Sequence, residues 1–510
     1  MLLPFQQFYR LITALAVCLS LIIFSANDKA FAQINEAELF FVAQKAFEDG
    51  FYDIAVRYIE QFTQQYPQSA KQIQAKLLLG QCYFFQNQYL KAYEIFQSLV
   101  NAAEFQDATL FWLGETYLKG ADYKQAEKHY QDLIKIYPDS EYLPQAYNSL
   151  GWTYFEQKNY PDAVITFQKV ASLFPNSPLR EDARFKIAEA HFNQGLYEAS
   201  IKHFRDFTST FPQSPKQGQA YFYLGESYYY LEDFLVASTY YAKAAEVSTD
   251  QKLILMSKIN LGWCYIKLKR FELAQKTLGE ARGLADKSNE LLDDVLLGQA
   301  SLYNDLGDHK TANEFYAQLI EQFPNSPRLV EAYLGQANNS YLLQDYPSAL
   351  TQYQQILDQF SSSPTRKELT EKAHFGLAWT YLKSGQLEQA IAHFQQIMDQ
   401  SESKTVKVSA LVQIADAYHD INNLEKAVEI YDHILKDYPD SPYVDYAQFR
   451  QGIVLMKQEN VDAALISFKS LENNFPKSKY LNDTKYFLGV AYFKKDNWAT
   501  AQEYIEKYLK

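Results

Sequence analysis

An all-α solenoid of about 13 helix–turn–helix units is the fold this sequence predicts, and three observations predict it. A small residue keeps time down the chain, at Ala55, Ala92, Ala126, Ala163, Ser200, Ala237, Ala274, Ala312, Ala349, Ala390, Ala427, Ala464 and Ala501, with most steps equal to 37. A second small residue and two aromatics recur at fixed offsets from it. Proline then closes seven of the periods. A fixed period in this range marks one supersecondary unit stacked many times, with each unit contacting its neighbours.

The first helix of each unit centres on the second small residue, twelve before the timing residue. It is Gly80, Gly114, Gly151, Gly225, Gly262, Gly452 and Gly489, and alanine at Ala43, Ala188, Ala300, Ala337, Ala378 and Ala415. Three residues later stands a tyrosine in most units, such as Tyr83, Tyr117, Tyr154 and Tyr265. Apolar residues three and four apart share one helical stripe. The second helix centres on the timing residue, with a large apolar residue four later, such as Phe96, Tyr130, Phe167 or Tyr431. Two small residues let the helices approach, and the aromatics fill the space beside the crossing. A polar break such as Glu156-Gln157-Lys158-Asn159 separates the two helices. Proline, at Pro67, Pro138, Pro175, Pro212, Pro324, Pro439 and Pro476, ends the second helix because it lacks an N–H and clashes with the preceding turn.

These offsets resemble the tetratricopeptide repeat. Leu150-Gly151-Trp152-Thr153-Tyr154, Leu224-Gly225-Glu226-Ser227-Tyr228 and Leu261-Gly262-Trp263-Cys264-Tyr265 match its first-helix core. The resemblance covers the chain from about residue 35 to the end and implies a right-handed superhelical α-solenoid. The sequence departs from the family pattern in places. The period is mostly 37 with the extra length after the proline, Ala46 replaces the first tyrosine, and Ser340 replaces the ninth.

Residues 1–32 lie outside the repeat. Arg10 precedes an apolar run from Leu11 to Phe24, and Ala30-Phe31-Ala32 offers a cleavage site, so the segment reads as a secretory signal peptide. An uncleaved anchor is the lesser alternative. Leu15-Ala16-Val17-Cys18 is a poor lipoprotein box, because valine precedes the cysteine and apolar residues follow it. A soluble exported chain is therefore expected rather than a lipid-anchored one, with no membrane span after cleavage. The predicted organisation is residues 33–360 as repeats 1–9 and residues 361–510 as repeats 10–13. A bend is expected near 361–371, where Ser361-Ser362-Ser363-Pro364 lengthens one step to 41.

The net charge of −13 and the lack of a basic run exclude ordinary nucleic-acid binding. An acidic surface also opposes docking on anionic membrane by charge alone. Cys82 and Cys264 read as small core residues, five repeats apart. The eight histidines show no metal-ligand spacing, and no phosphate-cradling loop or nucleophile elbow occurs, so no catalytic, cofactor or metal site is expected. The carboxylate pairs Glu181-Asp182 and Asp293-Asp294 fall at helix starts, a structural placement.

Function is therefore expected on a surface. The resemblance implies that first-helix residues build a concave wall, at offsets of three before, one after, and four and five after the small residue. Carried onto this chain, those offsets give Phe111 and Glu115, then Asn148, Trp152 and Phe155, then Phe185, Glu189 and Phe192. Farther on they give Phe222, Glu226, Tyr229 and Tyr230, then Trp263, Phe375 and Trp379. Aromatics alternating with carboxylates suit an apolar or helical peptide flanked by cations. The Phe-Pro-x-Ser boundaries, as in Phe174-Pro175-Asn176-Ser177, resemble bacterial envelope members of the family, including the outer-membrane assembly lipoprotein and the Tol–Pal coordinator. That resemblance implies a non-catalytic protein-interaction scaffold at the periplasm or outer-membrane periphery. A periplasmic polysaccharide-binding or export scaffold is the alternative.

Overall fold

The computed structural model describes residues 35–288, 290–360 and 367–509. The expected signal segment, and residues 361–366 of the expected bend, lie outside the described residues. The described chain is all-helical and forms an α-solenoid of helix pairs. It divides into two compact units, with described residues 35–232 in the first and 233–509 in the second.

The first unit holds α1 (Glu36–Glu48), α2 (Tyr52–Gln65), α3 (Gln72–Phe85), α4 (Tyr89–Ser98), α5 (Gln106–Lys119), α6 (Tyr123–Ile136), α7 (Leu143–Glu156), α8 (Tyr160–Leu173), α9 (Leu179–Asn193), α10 (Tyr197–Thr210) and α11 (Gln217–Tyr230). The second holds α12 (Phe234–Val247), α13 (Gln251–Lys267), α14 (Phe271–Ser288), α15 (Leu292–Asp305), α16 (His309–Gln322), α17 (Leu329–Leu342), α18 (Tyr346–Phe360) and α19 (Lys367–Lys383). It continues with α20 (Leu387–Gln400), α21 (Lys404–Asp420), α22 (Leu424–Asp437), α23 (Val444–Lys457), α24 (Val461–Asn474), α25 (Leu481–Lys494) and α26 (Trp498–Leu509). Within each unit a helix packs mainly on the next in sequence.

The timing alanines are buried at the helix crossings, as the spacing predicts; Ala55, Ala126, Ala163, Ala312 and Ala427 are fully enclosed. The first-helix glycines are required by contact. A β-carbon on Gly151 would stand 2.7 Å from Cε1 of Phe167, and one on Gly114 2.5 Å from Cε1 of Tyr130. Three further glycines, Gly298, Gly335 and Gly376, lie two residues before the small position. They leave room for Leu278, Tyr316 and Tyr353 of the preceding hairpin. The repeat spacing does not mark them.

The turn inside each hairpin is built one way throughout. The residue seven after the first-helix small residue always has positive φ, from Gly50 (79°) and Asn87 (60°) to Glu459 (63°) and Asp496 (57°). The next residue caps the second helix, as when Asp122 accepts from the Gln125 N–H and Asn423 from the Lys426 N–H. Gly195 has φ 74°, and a β-carbon there would meet nothing within 4 Å. Gly195→Ala should therefore cost about 1 kcal/mol from backbone conformation alone, and Ala121→Gly should gain up to about 1 kcal/mol. Paired thermal melts check both signs.

The residues after proline form a clasp. Pre-proline residues such as Phe211 (φ −122°, ψ 62°) leave the helix, because the proline ring excludes the helical conformation before it. The serine two after proline then ties the hairpin shut. Ser69, Ser140 and Ser214 donate to Glu36, Asp107 and Glu181 at 2.6, 2.6 and 2.5 Å. In the second unit Ser326 and Ser478 donate to Asp293 and Asp445 at 2.5 and 2.7 Å. Each acceptor lies in the first turn of the same repeat's first helix. The same serine oxygens accept the N–H two residues on, at Lys71, Tyr142, Lys216, Arg328 and Tyr480. The second acid of each carboxylate pair is also engaged, Asp182 by Lys216 and Asp294 by Arg328. The structural placement expected for these pairs thus has definite partners. Cys82 and Cys264 are both buried, and burial pushes the Cys82 thiol up to about 12.

Candidate interaction surface

The residues three before the small position do not line an open wall. Phe111, Phe185 and Phe222 are buried. Spacing of three puts them on the same side of the first helix as the small residue, which faces the second helix. Phe185 meets Phe204 and Phe207 edge-on at 5.3 and 5.4 Å. Phe111 packs on Tyr130 at 6.3 Å and stacks on Tyr142 at 5.0 Å. These three are core residues, which corrects the expectation that they contact a partner. Phe375 and Asn148 are half-buried, with Phe375 edge-on to Phe394 at 6.4 Å and Asn148 Oδ1 buried without a hydrogen-bond partner.

The position one after the small residue meets the crossing. At three crossings it accepts the hydroxyl of the second-helix tyrosine, whereas the Tyr316 hydroxyl is met by the Asn304 amide. Tyr130 donates to Glu115 at 2.7 Å, Tyr353 to Asn338 at 2.5 Å, and Tyr431 to Asp416 at 2.5 Å. Where the second helix carries Phe167, Leu278 or Phe394, the position is Trp152, Trp263 or Trp379. Trp152 and Trp379 then meet Phe167 and Phe394 edge-on at 6.5 and 5.9 Å. Glu115 is therefore a buried acceptor at a helix crossing, and burial pushes its carboxyl up. All three tryptophans remain half-buried.

In the first unit, α7, α9 and α11 bring the remaining predicted residues into one cluster. Lys186, which stands at none of the wall offsets, lies at its centre. Its Nζ sits 4.0 Å over the Trp152 ring and 4.8 Å over the Phe155 ring, and 2.6 Å from Glu189. Glu189 also accepts the Tyr223 hydroxyl at 3.0 Å, and burial with this neighbouring carboxylate raises the Tyr223 pKa. The cation expected from a partner is thus supplied here by the chain itself. Phe192 extends the aromatic floor to Tyr230 at 5.9 Å, and Tyr230 stacks on Tyr197 at 4.8 Å with planes 2° apart. Tyr230 is the open end, 56% exposed, while Glu226 and Tyr229 are half-buried.

In the second unit a polar network surrounds Asp416 on α21. Its carboxylate accepts from Tyr431, from Tyr446 at 2.7 Å and from Arg450 Nε at 2.7 Å. Arg450 also lies 3.3 Å from His419 Nδ1. Burial and the Asp416 carboxylate raise both tyrosine pKa values. The network joins three consecutive helices, α21 to α23.

Models of the tetratricopeptide repeat match residues 74–103, 106–176, 257–286, 294–326, 328–403 and 381–449. The chain belongs to the tetratricopeptide-repeat family. A family model described as outer membrane lipoprotein matches residues 149–258 and 448–510 of this tetratricopeptide protein. No curated protein matches it. Among solved structures it is similar to that of Naa15/Naa10 bound to HypK-THB. The identity is 15% over 93% of this chain and 75% of that one, with a TM-score of 0.34. Stacked tetratricopeptide hairpins present protein-interaction surfaces, and the chain is such a scaffold. No described helix is long and apolar enough to cross a membrane.

Proposed function

We propose that the chain is a non-catalytic protein-interaction scaffold of the bacterial cell envelope. It is exported by residues 1–32 and works in the periplasm or at the outer-membrane periphery. The apolar run and Ala30-Phe31-Ala32 support export, and the outer membrane lipoprotein match supports the compartment. The aromatic floor from Trp152 to Tyr230 carries the binding reading. Its inner end is neutralised by Lys186, and its outer end exposes the Tyr230 ring. An apolar helical segment that anchors on Tyr230 and crosses Phe192 fits this surface, because large aromatics anchor protein interfaces. In the second unit Trp263 and Trp379 are the corresponding contacts.

Cross-linking in cells, followed by recovery of the bound protein, tests this. Trp152→Ala, Tyr230→Ala, Trp263→Ala and Trp379→Ala together should reduce recovery at least tenfold, since truncated hot spots cost about 2 kcal/mol or more each. Unchanged recovery from a folded variant overturns the surface assignment. Retention on a glycan array with no protein recovered supports the polysaccharide reading instead.

A further inference from the structure

Repeat 10 brings together two histidines that lie 19 residues apart in sequence. His374 is on α19 and His393 on α20, and their Nδ1 atoms are 3.4 Å apart. Two imidazole nitrogens bound at about 2.0–2.1 Å to one tetrahedral ion stand roughly 3.3–3.4 Å apart. The rings are tilted by 38° with centroids 5.7 Å apart, so the two nitrogens converge while the ring faces do not stack. We propose that His374 and His393 form a two-histidine site for a divalent transition-metal ion of the zinc class, with both Nδ1 atoms as ligands.

The surroundings support such a site. His393 is held against Tyr381, stacked at 5.5 Å with planes 9° apart. The Gln396 side chain hydrogen-bonds the same imidazole, the kind of partner that orients a metal-binding histidine. No group of three His, Cys, Asp or Glu among the described residues could hold an ion. The site is therefore open, with two protein donors and water in the remaining positions. The pair His191 and His203 differs: its rings stack at 5.0 Å and 10°, which points neither nitrogen lone pair across the gap.

Calorimetric titration of the chelator-treated chain with Zn2+ alone tests the site, and Co2+ absorption reports geometry. One equivalent should bind, and Co2+ should give the bands of a four-coordinate ion. His374→Gln and His393→Phe should each weaken binding at least tenfold, and His191→Gln should leave it unchanged. His393→Phe is the decisive variant, because Phe315 and Tyr504 already fill this position against Tyr303 and Tyr492 elsewhere in the stack. The absence of saturable binding, or unaltered affinity in folded His393→Phe, overturns the proposal.

Discussion

Asp416→Ala is expected to destabilise the second unit by about 3 kcal/mol, since removing one member of a buried charged pair leaves the other uncompensated. Arg450 and Asp416 have side chains only 21% and 18% exposed. Tyr431 is fully buried, so without Asp416 its hydroxyl loses the acceptor at 2.5 Å and has no solvent to replace it. Tyr446 loses its acceptor as well. Asp416→Asn keeps an acceptor oxygen but removes the charge, and should cost roughly half as much. Hydrogen exchange across residues 404–457 is the direct measurement, because the network ties α21, α22 and α23 together. Loss of protection confined to the substituted turn would show that the three helices do not depend on it.

Gly151→Leu should cost about 2–3 kcal/mol by overpacking. A single β-carbon already comes within 2.7 Å of Phe167, and Phe167 is fully buried with no room to retreat. Gly151→Ala is a much milder change. Ala188, Ala378 and Ala415 occupy the same position against Phe204, Phe394 and Tyr431, so the crossing can open by the width of a methyl group. The gain in helix propensity from glycine to alanine, about 1 kcal/mol, offsets part of the remaining strain. Urea unfolding of the two variants should therefore separate them clearly. Equal midpoints would contradict close packing at Gly151.

The repeat architecture was legible because its determinants are local and periodic. Ala126, Gly114 and Pro138 each restrict the backbone or its approach, and each returns at a fixed interval. The surface was less legible, because offsets along one helix do not reveal what faces it. Phe185 occupies a wall position by offset, yet lies on the buried side with Phe204 and Phe207. Glu115 reads as an exposed acid until the Tyr130 hydroxyl is placed beside it. A partial signal was present: Glu115, Asn338 and Asp416 accompany tyrosine fifteen residues later and Trp152 and Trp379 phenylalanine, but Glu189 accompanies Phe204. Lys186 carried no such signal. Its place over Trp152 depends on how α7 and α9 adjoin, which spacing within one repeat does not fix.

The hairpin turns leave the molecule with an unused margin. Ala121, Lys158, Lys269, Gln344 and Glu459 hold a left-handed conformation that their side chains disfavour, at a cost of about 1 kcal/mol each. Added together, such costs approach the whole net stability of a typical domain. A hardier descendant is therefore reachable through loop tips alone, with every core ring and every contact face left as it stands.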